Sequence, residues 1–126
     1  MAGASINIKV PATFSGKASE KDFKIGFVSN WVMREARQIE TDMRKIVAEY
    51  QALQSGAKTV DEVDSELFNS AEGLLDRRYA LVREILESNG LAFDLDFWDR
   101  NCGPDAVNAF IYQATHKDAE EVKKKL

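Results

Sequence analysis

The chain contains one cysteine, Cys102, and one histidine, His116. A thiolate beside an imidazole would make a nucleophilic pair. Fourteen positions separate them, and the helix expected between them holds about three turns. At ~1.5 Å of rise per residue the two groups stand roughly 18 Å apart, beyond any proton transfer. Cys102 then reads as a small hydrophobe beside a helix start, a position that could lower its pKa. Asp94, Asp96 and Asp99 alternate in "DLDFWD" as calcium ligands do, but the segment lacks the glycine and closing glutamate of such loops. Helix capping and solvation explain the three carboxylates better. One Cys and one His cannot build a zinc site of the usual kind, and "SGKASEKD" lacks the spacing of a phosphate-binding loop. The expectation is a protein that is not an enzyme and carries no cofactor and no metal.

Basic residues cluster on two predicted helices: Arg34, Arg37, Arg44 and Lys45, then Arg77, Arg78 and Arg83. Each group is interleaved with Glu and Asp, the pattern of a solvated, salt-bridged face. The net charge is −4, with 21 acidic against 17 basic residues, so no broad nucleic-acid surface is expected. No apolar run approaches a membrane span, and "MAGASINIKV" lacks the basic start and apolar core of a signal peptide. A single cysteine suits a reducing cytoplasm.

The elements that position these residues follow from hydropathy. A chain of 126 residues fits one domain. Ile6, Ile8 and Val10 alternate with polar residues, and so do Phe23, Ile25 and Phe27, the period of half-buried strands. With "SGKASEKD" as a polar loop between them, residues 1–28 form a β-prone arm or hairpin, mobile unless it packs on the helices or on another chain. From Trp31 the period changes. Val32, Ala36, Ile39, Met43, Ile46, Tyr50 and Leu53 recur at alternating spacings of four and three, one stripe on a long helix. Ser29 or Asn30 caps its start and Gly56 ends it.

Thr59 and Glu62 make a capping box, from which a second long helix is predicted to run to Asn89-Gly90. Its stripe is Val60, Val63, Leu67, Ala71, Leu74, Leu81 and Ile85, flanked by Phe68, Leu75, Tyr79, Val82 and Leu86. The expected fold is mainly α: an antiparallel hairpin of two long helices, shorter C-terminal helices and the small N-terminal arm. Residues 29–116 form the helical core. Asp94 caps a short helix in "DLDFWDRN", and Gly103-Pro104-Asp105 opens another with Val107, Phe110, Ile111 and Ala114 inward. Residues 117–126 form a charged tail with Glu120–Lys124 and Glu121–Lys125 pairs four apart. Trp31, Phe93, Phe97 and Trp98 either close the ends of the helical core or face a partner.

The layout, with "FDLDFWDRNCGPDAVNAFI" near its end, resembles the tail assembly chaperones of long-tailed bacteriophages and related prophages. The acidic stretch, the Phe-Trp pair and the Pro/Asp-capped helix carry the resemblance. It implies a small, acidic, mostly helical, non-catalytic protein. Its partner would be the tape measure protein, kept soluble while tail tube subunits polymerise around it. Residues expected to bind that client are Trp31, Phe93, Leu95, Phe97 and Trp98. Homo-oligomerisation is expected through Ile6, Ile8, Val10, Phe23, Ile25 and Phe27. The resemblance further implies a frameshifted longer form of the same protein, which would join the assembly. The Lys123–Lys125 run requires A-rich codons, the setting of a slippery site. It places the protein in the cytoplasm of a bacterial host and outside the mature virion. The alternative is another phage or bacterial helical adaptor or regulatory module.

Overall fold

The computed structural model describes residues 5–63 and 65–116. Strands β1 (Ile6–Phe14) and β2 (Lys17–Ile25) pair antiparallel, with Ile8 opposite Phe23 and Phe14 opposite Lys17. Only Ser15 and Gly16 lie between them, with φ of 49° and 80°. Two successive positive φ values define the tight turn whose twist matches that of paired strands. The polar stretch expected as a loop is therefore mostly strand β2, and the Ser-Gly dipeptide alone makes the turn. Alternation sends Ile8, Val10, Ala12, Phe23 and Ile25 to one buried face.

Helix α1 spans Asn30–Ser55. Ser29 Oγ caps it by accepting from Val32 N at 3.2 Å, and Gly56, at φ 79°, ends it in the left-handed region. Val32, Ile39 and Ile46 are buried, whereas Tyr50, near the far end of the stripe, is exposed. The Thr59–Glu62 capping box forms: Glu62 Oε1 accepts from Thr59 N and from Thr59 Oγ1, each at 3.0 Å. It opens no long helix. A single 3-10 turn, Val60–Glu62, follows, and Val63 is extended. Helix α2 (Ser65–Glu72) and helix α3 (Leu74–Ser88) then flank Gly73, a residue that weakens a helix interior. Leu67 and Phe68 of the expected stripe lie among side chains outside the described set, as do the tail pairs and Lys123–Lys125.

Helix α3 ends in a Schellman motif. Leu91 N donates to Leu86 O at 2.9 Å, Gly90 N to Glu87 O at 3.1 Å, and Gly90 takes φ 73°. A π-helical turn (Phe97–Asn101) follows, entered where Asp94 Oδ1 accepts from Asp96 N at 3.1 Å. Helix α4 (Pro104–Thr115) opens with proline in its first turn and buries Val107, Phe110, Ile111 and Ala114.

The expectation of a mainly α chain built on two long helices is thus overturned. The fold is mixed α/β. The hairpin is no appendage, because its five buried side chains join α1, α3, α4 and the π turn in one apolar cluster. Ile8, Val10, Phe23 and Ile25 each contribute roughly 1.5–3 kcal/mol by leaving water, which fixes the arm to the helices. The second long helix is replaced by a 3-10 turn and two helices, broken at Val63 and at Gly73.

Candidate functional site

Three helices leave a cleft of about 560 Å³ between them. Helix α1 forms one wall over Met33–Arg44, α3 contributes Arg78 and Leu81, and the end of α4 closes the third side. The floor is apolar: Ile39, Leu81 and Ile111 are all buried. Met33, Ala36 and Met43 are half-buried above it. Arg37, Glu40, Arg44, Asn108 and Tyr112 line the mouth and are exposed, so the cleft opens to solvent. The local cause lies in α1. Its stripe is wider than α3 and α4 cover, and the uncovered margin becomes the wall.

Charge around the cleft departs from that of the chain. Three arginines line it against one glutamate, on a protein of net charge −4. Arg44 stands 3.9 Å from Glu40, one turn away on an exposed face. Arg77, next to the cleft-lining Arg78, is held elsewhere, by Glu35 at 2.8 Å and Asp42 at 2.8 Å on α1. Arg78 has no such partner among the described residues, and its partial burial pushes its pKa below the usual arginine value. At the α4 end, His116 stacks on Tyr112 with ring centroids 4.0 Å apart. His116 Nδ1 lies 2.8 Å from Tyr112 O and 3.1 Å from Thr115 Oγ1.

The residues whose types could do chemistry are kept apart. His116 caps α4, while Cys102 precedes it, with the twelve residues of α4 between. Burial raises the Cys102 thiol above its ordinary pKa, the opposite of the lowering a helix start could bring. The nearby Lys21 offsets this only in part. The aspartates serve structure. Asp94 Oδ1 accepts from Asp96 N at the entrance to the π turn, Asp96 stands 3.8 Å from Arg100, and Asp99 accepts from Tyr79 Oη at 2.9 Å. No metal-binding group of three His, Cys, Asp or Glu side chains occurs among the described residues. No helix among them is long and apolar enough to cross a membrane.

The expected client-binding aromatics divide. Trp98 is 1% exposed and packs on Phe110 at 5.0 Å, Phe97 at 5.3 Å and Phe23 at 5.5 Å. Phe97 is buried beside it, under Lys21, whose Nζ lies 5.0 Å from the ring centroid. Both are withdrawn from any partner because they fill the gap between hairpin and α4. Phe93 is half-buried against the same cluster, and only Trp31 and Leu95 are exposed. Among the residues expected to self-associate, Ile8, Val10, Phe23 and Ile25 are core, Ile6 packs against it, and Phe27 is exposed. The cleft was missed in the sequence because its residues belong to three helices, and one helix's stripe does not reveal which part stays uncovered. The signal present was Met33 and Met43, one stripe residue and one beside it, on the face of α1 that holds Arg37 and Arg44. No family model matches the chain, and no curated protein or solved structure does either.

Proposed function

We propose that the chain is a non-catalytic tail assembly chaperone that holds an apolar segment of the tape measure protein in the cleft between α1, α3 and α4. The observation that carries this reading is the cleft itself: an apolar floor of Ile39, Leu81 and Ile111, open to solvent beside an α1 wall that carries Met33 and Met43. Such a surface binds by covering apolar side chains of a client. The two methionines adapt to different client shapes, since the unbranched thioether repacks at small cost. The acidic remainder of the surface keeps the complex soluble. The resemblance in "FDLDFWDRNCGPDAVNAFI" supplies the identity of the client. In this reading the chaperone self-associates, together with a frameshifted longer form, so that many copies coat one client. It acts in the host cytoplasm and leaves before the virion matures.

Co-expression with fragments of the tape measure protein encoded alongside it tests the reading. Fragments that pellet alone should stay soluble and co-purify with the chain. Met43→Glu should abolish this without unfolding the protein. A native chain that leaves every fragment in the pellet would overturn it.

A further inference from the structure

We infer that the cleft selects client helices that carry a carboxylate beside their apolar face, and that Arg78 is the specificity-determining residue that receives it. The inference rests on the cleft being the client site. Its basis is the contrast between neighbouring arginines. Arg77 and Arg83 each have a carboxylate at 2.7–2.8 Å, from Glu35 and Asp42 in the first case and from Glu87 in the second. Arg78 is half-buried, lines an apolar cleft and has no carboxylate among the described residues. A guanidinium that is partly removed from water without an anion is held at a cost, which a ligand carboxylate removes by forming two parallel hydrogen bonds. The depressed Arg78 pKa has that desolvation as its cause.

Two further observations define the ligand. Arg37 and Arg44 face Arg78 across the cleft from α1, and among the described residues Glu40 is the only acidic one lining it. Elsewhere the chain is acidic, so a carboxylate-bearing segment is repelled by the general surface and attracted here. The wall from Met33 to Arg44 runs about 16 Å along α1, the length of three helical turns, which matches a groove read by apolar anchors at i, i+3, i+4 and i+7. The occupant is therefore an amphipathic helix with acidic residues flanking its apolar stripe.

The test uses the full chain and two labelled synthetic helices of about 15 residues. Both carry leucine at the anchor positions; one is flanked by Glu and the other by Gln. Fluorescence anisotropy should show the Glu helix binding about tenfold tighter, the worth of one charge-assisted hydrogen bond. High salt should narrow the gap. Arg78→Gln should abolish it, and Arg83→Gln should leave it intact. Arg78→Glu should invert the preference toward a Lys-flanked helix. Equal binding of the Glu and Gln helices by the native chain, or no binding of either, overturns the inference. So does discrimination that survives in a folded Arg78→Gln variant. If Arg78→Gln fails to fold, the Glu/Gln comparison on the native chain and its salt dependence decide alone. Equal peptide binding together with rescue of tape measure fragments leaves the chaperone reading standing. Glu selectivity without any such rescue removes the chaperone reading and keeps this one.

Discussion

Asn89 grips the backbone of Phe27 from both sides. Its Oδ1 accepts from Phe27 N at 2.9 Å and its Nδ2 donates to Phe27 O at 2.8 Å. The same carboxamide accepts from Gly26 N at 2.9 Å and donates to Ile85 O at 2.6 Å. The last residue before the α3 Schellman turn thus satisfies the linker between β2 and α1. Two N–H groups and two carbonyls around one side chain allow only one orientation of the amide.

Asn89→Asp should therefore destabilise the fold far more than its size change implies. The carboxylate keeps both acceptors but faces Phe27 O and Ile85 O with no donor. Leaving those carbonyls unpaired costs about 1–3 kcal/mol, read as a fall in the urea midpoint at constant slope. A midpoint unchanged from the native chain would show that water replaces the amide.

Arg77 predicts the acid limb of stability. The Arg77 guanidinium, and then the Gln38 amide, hold the Asp42 carboxyl below its ordinary value of 3.8. A folded pKa below the unfolded one gives stability that is present above about pH 3.8 and lost as pH falls toward the folded value. Arg77→Met should remove that contribution, making the native chain's advantage over the variant shrink below pH 3.8. The loss at neutral pH should be about 1 kcal/mol, because the pair is partly solvated. Urea melts of both proteins at neutral and acid pH would read the difference; a gap that stays constant with pH would contradict this linkage.

Tyr79 predicts the alkaline limb. Burial, and then Asp99, push the phenol from 10.0 up to about 12. The unfolded chain loses this proton first, so stability should fall as pH rises from 10 toward 12. Ultraviolet titration of phenolate should show a late component that Tyr79→Phe deletes. Its persistence in that variant would assign it to another tyrosine.

Local signals in the sequence and tertiary ones fared differently. Ser29, Gly56, Asn89-Gly90 and Gly103-Pro104 mark ends that the structure also marks, because capping depends on a few adjacent residues. The capping box at Thr59–Glu62 formed too, yet what followed was a single turn. A box satisfies its donors whether or not a long helix follows, so it marks a start and not a length. The whole of "SGKASEKD" read as a loop, because polar Lys17–Asp22 disguised the strand that follows the Ser15-Gly16 turn. That half of β2 pairs with β1 and shows its side chains to solvent, so no alternation marks it. Burial of Phe97 and Trp98 depended on the hairpin packing over α4, a contact between residues some 75 positions apart that no local pattern encodes. The cleft was least legible, since it is defined by what α3 and α4 leave uncovered on α1.

The two tryptophans give the sharpest separation of packing from recognition. Trp98 is 1% exposed inside the aromatic cluster, and Trp31 is 45% exposed on the first turn of α1. Trp98→Ala should cost about 3–5 kcal/mol, since it empties a site bounded by Phe23, Phe97 and Phe110 that cannot close around a methyl group. Trp31→Ala should stay within about 0.5 kcal/mol of the native chain in isolation, as exposed substitutions do. Acrylamide should quench the Trp31 emission and spare that of Trp98, so Trp31→Phe leaves a single blue-shifted, protected emitter. If Trp31 takes part in client binding, its substitution lowers affinity for tape measure fragments while the melting curve stays in place. Measuring stability and affinity on this one variant decides whether its exposure serves recognition. Equal affinity would restrict the client site to the cleft between α1, α3 and α4.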